Sequence, residues 1–431
     1  MKIIISKLLN DNVLKYLLSK GIVSLAFRAL GVAFGFLVAW MLSFYFKEKI
    51  YGAFSLLQTI IQLLAMIFTL GIQNTILIEI NKIQPLNIHK ATSFLFHVFK
   101  LVFFVALIPI LFFYFGAPFI SAVIFNKPHL SESFKIIALF LPVFLFHELV
   151  LYYFIGIKRF LTFGLFMFVV PNLFFIGFVF LLRDSLNGPS EIVLYYALSF
   201  LITFIIELLV IIDRKKKFIM EKFSNKKTFF SSLPMMFSGL MGFLISWTDV
   251  LMLGAMSTEE SVGIYNAAFK IGMFVLIIIA SINIVTGPKI AEFFVNGDNQ
   301  NLKKMIQKST QLVTLISLPI VSIIVFFSDL LLQFFGESFK SGSLVLIIIA
   351  VSTFISAASG NVDQILNLTD NRKLLFKINL IALSVNIVLN YIFIPIYDIN
   401  GSAIASMISI IILNLTCVYF IKKKLGFYTL I

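Results

Sequence analysis

The 431-residue sequence holds a single cysteine, Cys417, and only four histidines. One cysteine cannot build a disulfide framework or a thiolate cluster, and the scattered histidines lack the spacing of a metal site. Charge is also scarce, at 13% of residues, where an ordinary soluble domain carries about a quarter. No GxxxxGK[ST] loop, HExxH pair or dinucleotide glycine fingerprint occurs, and no polar stretch is long enough for a nucleotide-binding domain. These absences exclude ATP hydrolysis on this chain, zinc proteolysis and dinucleotide chemistry, so neither a cofactor nor a metal is expected. The N-terminal stretch MKIIISKLLNDNVLKYLLSKG carries no small-residue cleavage site after a short apolar core. It is expected to lie as an amphipathic helix in the membrane interface rather than to act as a signal peptide.

Apolar residues are abundant: 60% of the chain, with 52 phenylalanines. Runs such as Leu101 to Phe115 (LVFFVALIPILFFYF) have no polar face. A helix apolar all round belongs in lipid or in a deep core. Segments near 23–46, 53–72, 94–115, 134–154, 161–182 and 192–212 each reach the ~20 residues that span a bilayer. A second set lies near 233–254, 267–286, 311–335, 344–366, 374–396 and 402–420. The expected fold is therefore an all-α, polytopic membrane protein of about twelve spans.

The formal net charge of +14 follows from topology rather than from nucleic-acid binding. With a cytoplasmic N-terminus, the basic loops all fall inside, among them Lys158 with Arg159, the run Arg214 to Lys217, and Lys422 to Lys424. Only Lys47, Lys49, Lys127, Arg183 and Lys340 remain in outer loops. Both termini are then cytoplasmic. The most polar stretch, beginning DRKKK at Asp213, divides the chain into an N-terminal lobe (1–212), a linker (213–229) and a C-terminal lobe (230–431). Lys49 to Leu64 (KIYGAFSLLQTIIQLL) is weakly similar to Gly263 to Ile278 (GIYNAAFKIGMFVLII). Six spans return the chain to its starting side, so two six-helix lobes would be related by a pseudo-two-fold along the membrane normal.

Charges inside spans cost about 2.5–3.5 kcal/mol on insertion scales and mark protein-facing or wet positions. Arg28, Lys135 and Lys270 are the cations within or at the edge of spans, and either snorkel or line an anion-binding cavity. Asp249, in FLISWTDVLMLG, needs a partner, a basic side chain such as Lys270 or a coupling cation. Asp363, set among Gly360, Asn361 and Gln364, and Glu148 are further ion-coupling or structural candidates. Glu207 is expected near an interface, pairing with Arg214.

Three stretches carry a family resemblance: Phe46 to Ile76, Leu233 to Ile271 with Gly287 to Phe294, and Asn367 to Ser409. Through them the chain resembles polysaccharide-export flippases, the Wzx-like O-antigen and capsule repeat-unit translocases of the MATE-like (MOP) exporter superfamily. The resemblance implies two six-helix lobes opening alternately to each side of a bacterial cytoplasmic membrane. The substrate it implies is an undecaprenyl-pyrophosphate-linked oligosaccharide, whose diphosphate would meet Arg28, Lys270 and Lys135. Membrane lipids and a polysaccharide polymerase are the implied partners. Three alternatives stay open: an ion-coupled multidrug exporter of the same superfamily, a lipid II flippase, and, more remotely, a membrane-embedded polysaccharide polymerase. Only Arg28 stands in the first span, where peptidoglycan-precursor flippases commonly carry several arginines.

Overall fold

The computed structural model describes residues 12–83, 87–186, 188–212 and 223–430. The amphipathic segment up to residue 11 and the linker from 213 to 222 lie outside the described residues. Within them the chain is helical, with no strand. Among the described residues nine helices are long and apolar enough to cross a bilayer, and the protein is a multi-pass membrane protein.

Two of these helices are far too long for one crossing. Helix α1 (Asn12–Phe68) has 57 residues, about 85 Å if straight, against a hydrocarbon core of about 30 Å. It breaks at Lys47, where φ is 61°. The expected spans 23–46 and 53–72 are thus the two arms of one kinked helix. Helices α2 (Ile72–Asn81) and α3 (Ile88–Phe115) follow, then α4 (Ser131–Gly156), α5 (Phe160–Gly164), α6 (Val170–Leu182) and α7 (Pro189–Ile211). Helix α8 (Asn225–Met256) precedes α9 (Glu259–Gly272) and α10 (Phe274–Val295). The expected span 267–286 therefore straddles the junction at Met273. Helix α11 (Asn299–Phe326) leads to α12 (Ser343–Ser359) and α13 (Val362–Leu368). Gly360 between them has φ +81°, so the expected span 344–366 is also interrupted. Helix α14 (Arg372–Leu425) folds back on itself at Asp398 (φ 50°).

The chain divides into two compact units. Unit 1 comprises residues 1–45 and 60–240, and unit 2 comprises 46–59 and 241–431. Residues 46–59 pack with unit 2 although they lie in the first half of the sequence.

In unit 1, α4 packs against α2, α3 and α7 and is the most buried of the candidate spans. Its neighbours are joined by phenylalanines: Phe99, Phe146 and Phe204 sit with ring centroids 4.8–6.0 Å apart, and Phe144, Tyr196 and Phe200 at 4.9–6.0 Å. Lipid is as apolar as these rings, so hydrophobic transfer contributes little here. Close aromatic packing, about 0.5–1.5 kcal/mol per pair, does more.

Unit 2 uses small residues instead. The helix arm bearing Gly52 lies directly against α9 at Gly263, and Tyr51 donates to Asn266 Oδ1 at 3.0 Å. The two weakly similar segments thus touch each other. A Cβ on Gly52 would stand 1.7 Å from the carbonyl oxygen of Glu259 and 2.7 Å from the nitrogen of Gly263. Both are backbone atoms that cannot turn aside. Gly52→Ala is expected to destabilise the purified protein by about 2 kcal/mol or more, seen as a lower Tm in detergent. An unchanged Tm would mean the two helices are not packed this closely.

Candidate functional site

The polar centre of unit 2 grows from helix spacing. Asn386 and Asn390 are four residues apart on one arm of α14, and Ser402 and Ser406 are four apart on the other, so each pair shares a helix face. The reversal at Asp398 folds the arms together. Asn386 Nδ2 then donates to Ser406 Oγ at 2.9 Å, and Ser402 Oγ donates to Asn390 Oδ1 at 2.7 Å. The turn is anchored in its own right, because the Asp398 carboxylate accepts from Ser261 Oγ at 2.5 Å and from Ser257 Oγ. Those two serines flank the start of α9, whose N-cap is Thr258.

Against this hairpin stands Asp249 of α8, only 8% exposed. Its carboxylate accepts from Asn390 Nδ2 at 2.8 Å, Asn386 Nδ2 at 3.2 Å, Tyr265 Oη at 2.5 Å and Ser406 Oγ. All four donors are neutral. The expected partner Lys270 is not among them: it lies in the last turn of α9, partly buried, and makes other contacts. A buried carboxylate surrounded by neutral donors keeps its full negative charge when ionised, and that charge calls for a cation or a proton. One neighbouring atom is oriented for the task, since Asn386 Oδ1 is buried with no hydrogen-bond partner among the described residues.

These groups line a cavity of about 320 Å³ within unit 2. Asp249, Tyr265, Asn386 and Ser406 line one part of it, and Asn361, Asp363, Ser356 and Asn414 also face it. Asn414 Nδ2 donates to Ser356 Oγ at 3.0 Å. Asp363 makes no hydrogen bond or ion pair among the described residues. The cavity therefore joins the two sequence-predicted carboxylates Asp249 and Asp363. No grouping of three or more His, Cys, Asp or Glu occurs among the described residues. The oxygen set here (one carboxylate, hydroxyls and an amide) matches a hard monovalent cation better than a divalent one, which is held by several carboxylates.

The other predicted residues lie elsewhere. Arg28 is exposed on α1 in unit 1 and makes no hydrogen bond or ion pair among the described residues. Lys135 is bound to Glu132 Oε1 at 2.8 Å, an i,i+3 pair that already answers its charge. Glu148 is in unit 1, on α4. Its neighbour in sequence, His147, places Nδ1 2.9 Å from Glu207 Oε1 of α7, and Glu207 is wholly buried. Glu207 is thus a core residue of unit 1 with a histidine partner, rather than an interface residue awaiting Arg214, which lies outside the described residues. Cys417 packs in an apolar cluster with Ile290, Leu302 and Phe427.

Similarity to known proteins agrees with this architecture. The family model described as "Polysaccharide biosynthesis protein" matches residues 17–294, and the MatE model matches residues 234–392. A probable low-salt glycan biosynthesis flippase, Agl15 of Haloferax volcanii, is 25% identical over 189 residues, 43% of this chain and 40% of the relative. The capsular polysaccharide biosynthesis protein CapF of Staphylococcus aureus is 22% identical over 199 residues, 46% of this chain and 50% of the relative. The matches span half or less of the length of these curated relatives. Among solved structures, the lipid II flippase MurJ in its inward closed conformation aligns over 94% of this chain and 87% of its own, with a TM-score of 0.73 and 16% identity. An inward-facing multidrug resistance MATE family transporter aligns over 93% of this chain and 94% of its own, with a TM-score of 0.74 and 13% identity. The fold of these transporters is reached with little identity, and the family match covers most of the chain: the protein belongs to the polysaccharide biosynthesis protein family.

Proposed function

We propose that the protein flips a lipid-linked oligosaccharide, carried on undecaprenyl pyrophosphate, across the cytoplasmic membrane by alternating access, and that a small cation or proton at Asp249 drives the cycle. The observation that supports the coupling is the Asp249 carboxylate, buried and held by four neutral donors, with no cationic side chain hydrogen-bonded to it among the described residues. The family and relatives named as flippases support the substrate class. A glycan head needs a wet route while its lipid tail stays in the bilayer, and the 320 Å³ cavity in unit 2 is far too small to be that route. It suits the coupling ion instead. Arg28 and Lys270 are the cations proposed to meet the diphosphate. Dividing α1 and α14 at their kinks turns the nine candidate spans among the described residues into eleven, and α10 (Phe274–Val295) supplies a twelfth; an even number is consistent with both termini and the basic loops lying in the cytoplasm.

Deleting the gene in its native host is expected to make lipid-linked oligosaccharide accumulate, read by mass spectrometry, while surface polysaccharide is lost and then restored by the wild-type gene. Unchanged lipid pools and polymer, together with new sensitivity to cationic drugs, would move the assignment to drug export.

A further inference from the structure

A second cavity, of about 650 Å³, lies within unit 1 between the start of α3, the end of α4 and the end of α7. Three observations describe what it would hold. First, its mouth carries a cation whose backbone is anchored. Helix α4 ends in a Schellman turn: Arg159 N–H donates to the Phe154 carbonyl at 2.8 Å, and Lys158 N–H to that of Ile155 at 2.9 Å. Lys158 takes the left-handed position of that turn, φ 63°, where glycine is usual. The backbone of Arg159 is thereby held at the cavity edge, and its guanidinium makes no hydrogen bond or ion pair among the described residues. His89 of α3 lines the same cavity, and none of the lining residues among the described residues is acidic. Second, the interior offers hydroxyls: Thr92 Oγ1 and Tyr153 Oη, both on buried residues, are 2.7 Å apart. Third, the remaining wall is apolar and open to the bilayer. Ile88, Val210 and Ile212 are 47%, 42% and 51% exposed.

A guanidinium on an anchored backbone, with hydroxyls behind it, suits a phosphate, and an exposed apolar wall suits a ligand with acyl chains. We infer that this cavity is a binding site for an anionic phospholipid, with the phosphodiester on Arg159 and the acyl region along Val210 and Ile212. At about 30 Å³ per water it has room for some twenty waters, enough for a phosphoglycerol headgroup but not for a glycan of several sugars. Arg159 lies with Lys158 and Lys90 at the end of unit 1 assigned to the cytoplasm, the leaflet where juxtamembrane cations meet anionic lipid. The site does not depend on what the protein transports.

The test uses the full chain in nanodiscs of defined lipid, with bound lipid counted by native mass spectrometry and Tm measured in parallel. Phosphatidylglycerol is expected to be retained at least fivefold over phosphatidylcholine. Arg159→Gln should bring that ratio below twofold, Arg159→Lys should keep most of it, and the exposed His89→Gln, the milder change should Arg159→Gln fail to fold, should lower it partway. Equal retention of the two lipids, or an unchanged ratio in both Gln variants, would overturn the inference. Inorganic pyrophosphate raising Tm in phosphatidylcholine discs as much as phosphatidylglycerol does would overturn it too, because the site would then bind a free phosphate group rather than a phospholipid.

Discussion

Asp249→Asn is expected to cut surface polysaccharide more than tenfold at unchanged protein level. The substitution keeps the size of the side chain and one acceptor oxygen, so Tyr265, Asn390 and Ser406 do not all lose their partner. What it removes is the charge. Asp249→Ala would confuse the result, since it strands four buried donors at about 1–3 kcal/mol each and would reduce folding as well as transport. Ligand linkage gives an independent reading. A cation that binds only the folded protein stabilises it by about 2.7 kcal/mol at a hundred times its Kd. Wild-type Tm should therefore rise on titrating sodium against choline at constant ionic strength, and Asp249→Asn should show no rise. Asn386→Leu, which deletes the unpartnered Oδ1, should weaken the response while leaving the carboxylate in place. If the wild type does not respond to cations but Asp249→Asn still stops export, the coupling species is a proton. Full export by Asp249→Asn would make the carboxylate structural and remove the basis for coupling at this site.

How this site could be read from sequence differs from residue to residue. Asp249 was visible because a carboxylate in an apolar run is costly wherever it lies. Its partners were less so: asparagine and serine are cheap in membrane helices, and none of the four stands out alone. Their joint pattern does carry a signal. Asn386 with Ser406 and Asn390 with Ser402 are 20 and 12 residues apart, both centred on Ile396, as the rungs of an antiparallel helical hairpin must be. That Asp249 completes the set, 137 to 157 residues away, is a tertiary fact that no local pattern contains. Lys135 could have been set aside from sequence, because Glu132 stands at i−3 on the same helix. The apolar runs located the spans well but not their breaks, since Lys47 and Asp398 adopt positive φ without glycine to announce it. His147 went unremarked because a single histidine has no spacing to read. Its partner Glu207 is on another helix.

That histidine supports the second large effect. His147→Ala is expected to destabilise the protein by about 3–5 kcal/mol, because it takes from Glu207, 0% exposed, the imidazole 2.9 Å away. Around the pair stand Phe200, whose ring meets the imidazole edge-on at 5.1 Å, and the packed Phe146 and Phe204. Glu148 adds a second carboxylate on the same helix, so neutral surroundings are not restored by deleting one partner. Removing both should behave differently. The double variant His147→Leu, Glu207→Leu replaces a buried pair with apolar volume, and such exchanges are often neutral or stabilising by about 1–4 kcal/mol. Its Tm should return to or exceed that of the wild type, which thermal unfolding in detergent would show. A double variant as unstable as His147→Ala would mean that the pair contributes geometry no apolar residue can replace. Transport by the double variant then separates two roles. Normal export with restored Tm makes His147–Glu207 an element of packing, and a stable protein that no longer exports makes the pair a charge-bearing part of the cycle in unit 1, distinct from the Asp249 centre in unit 2.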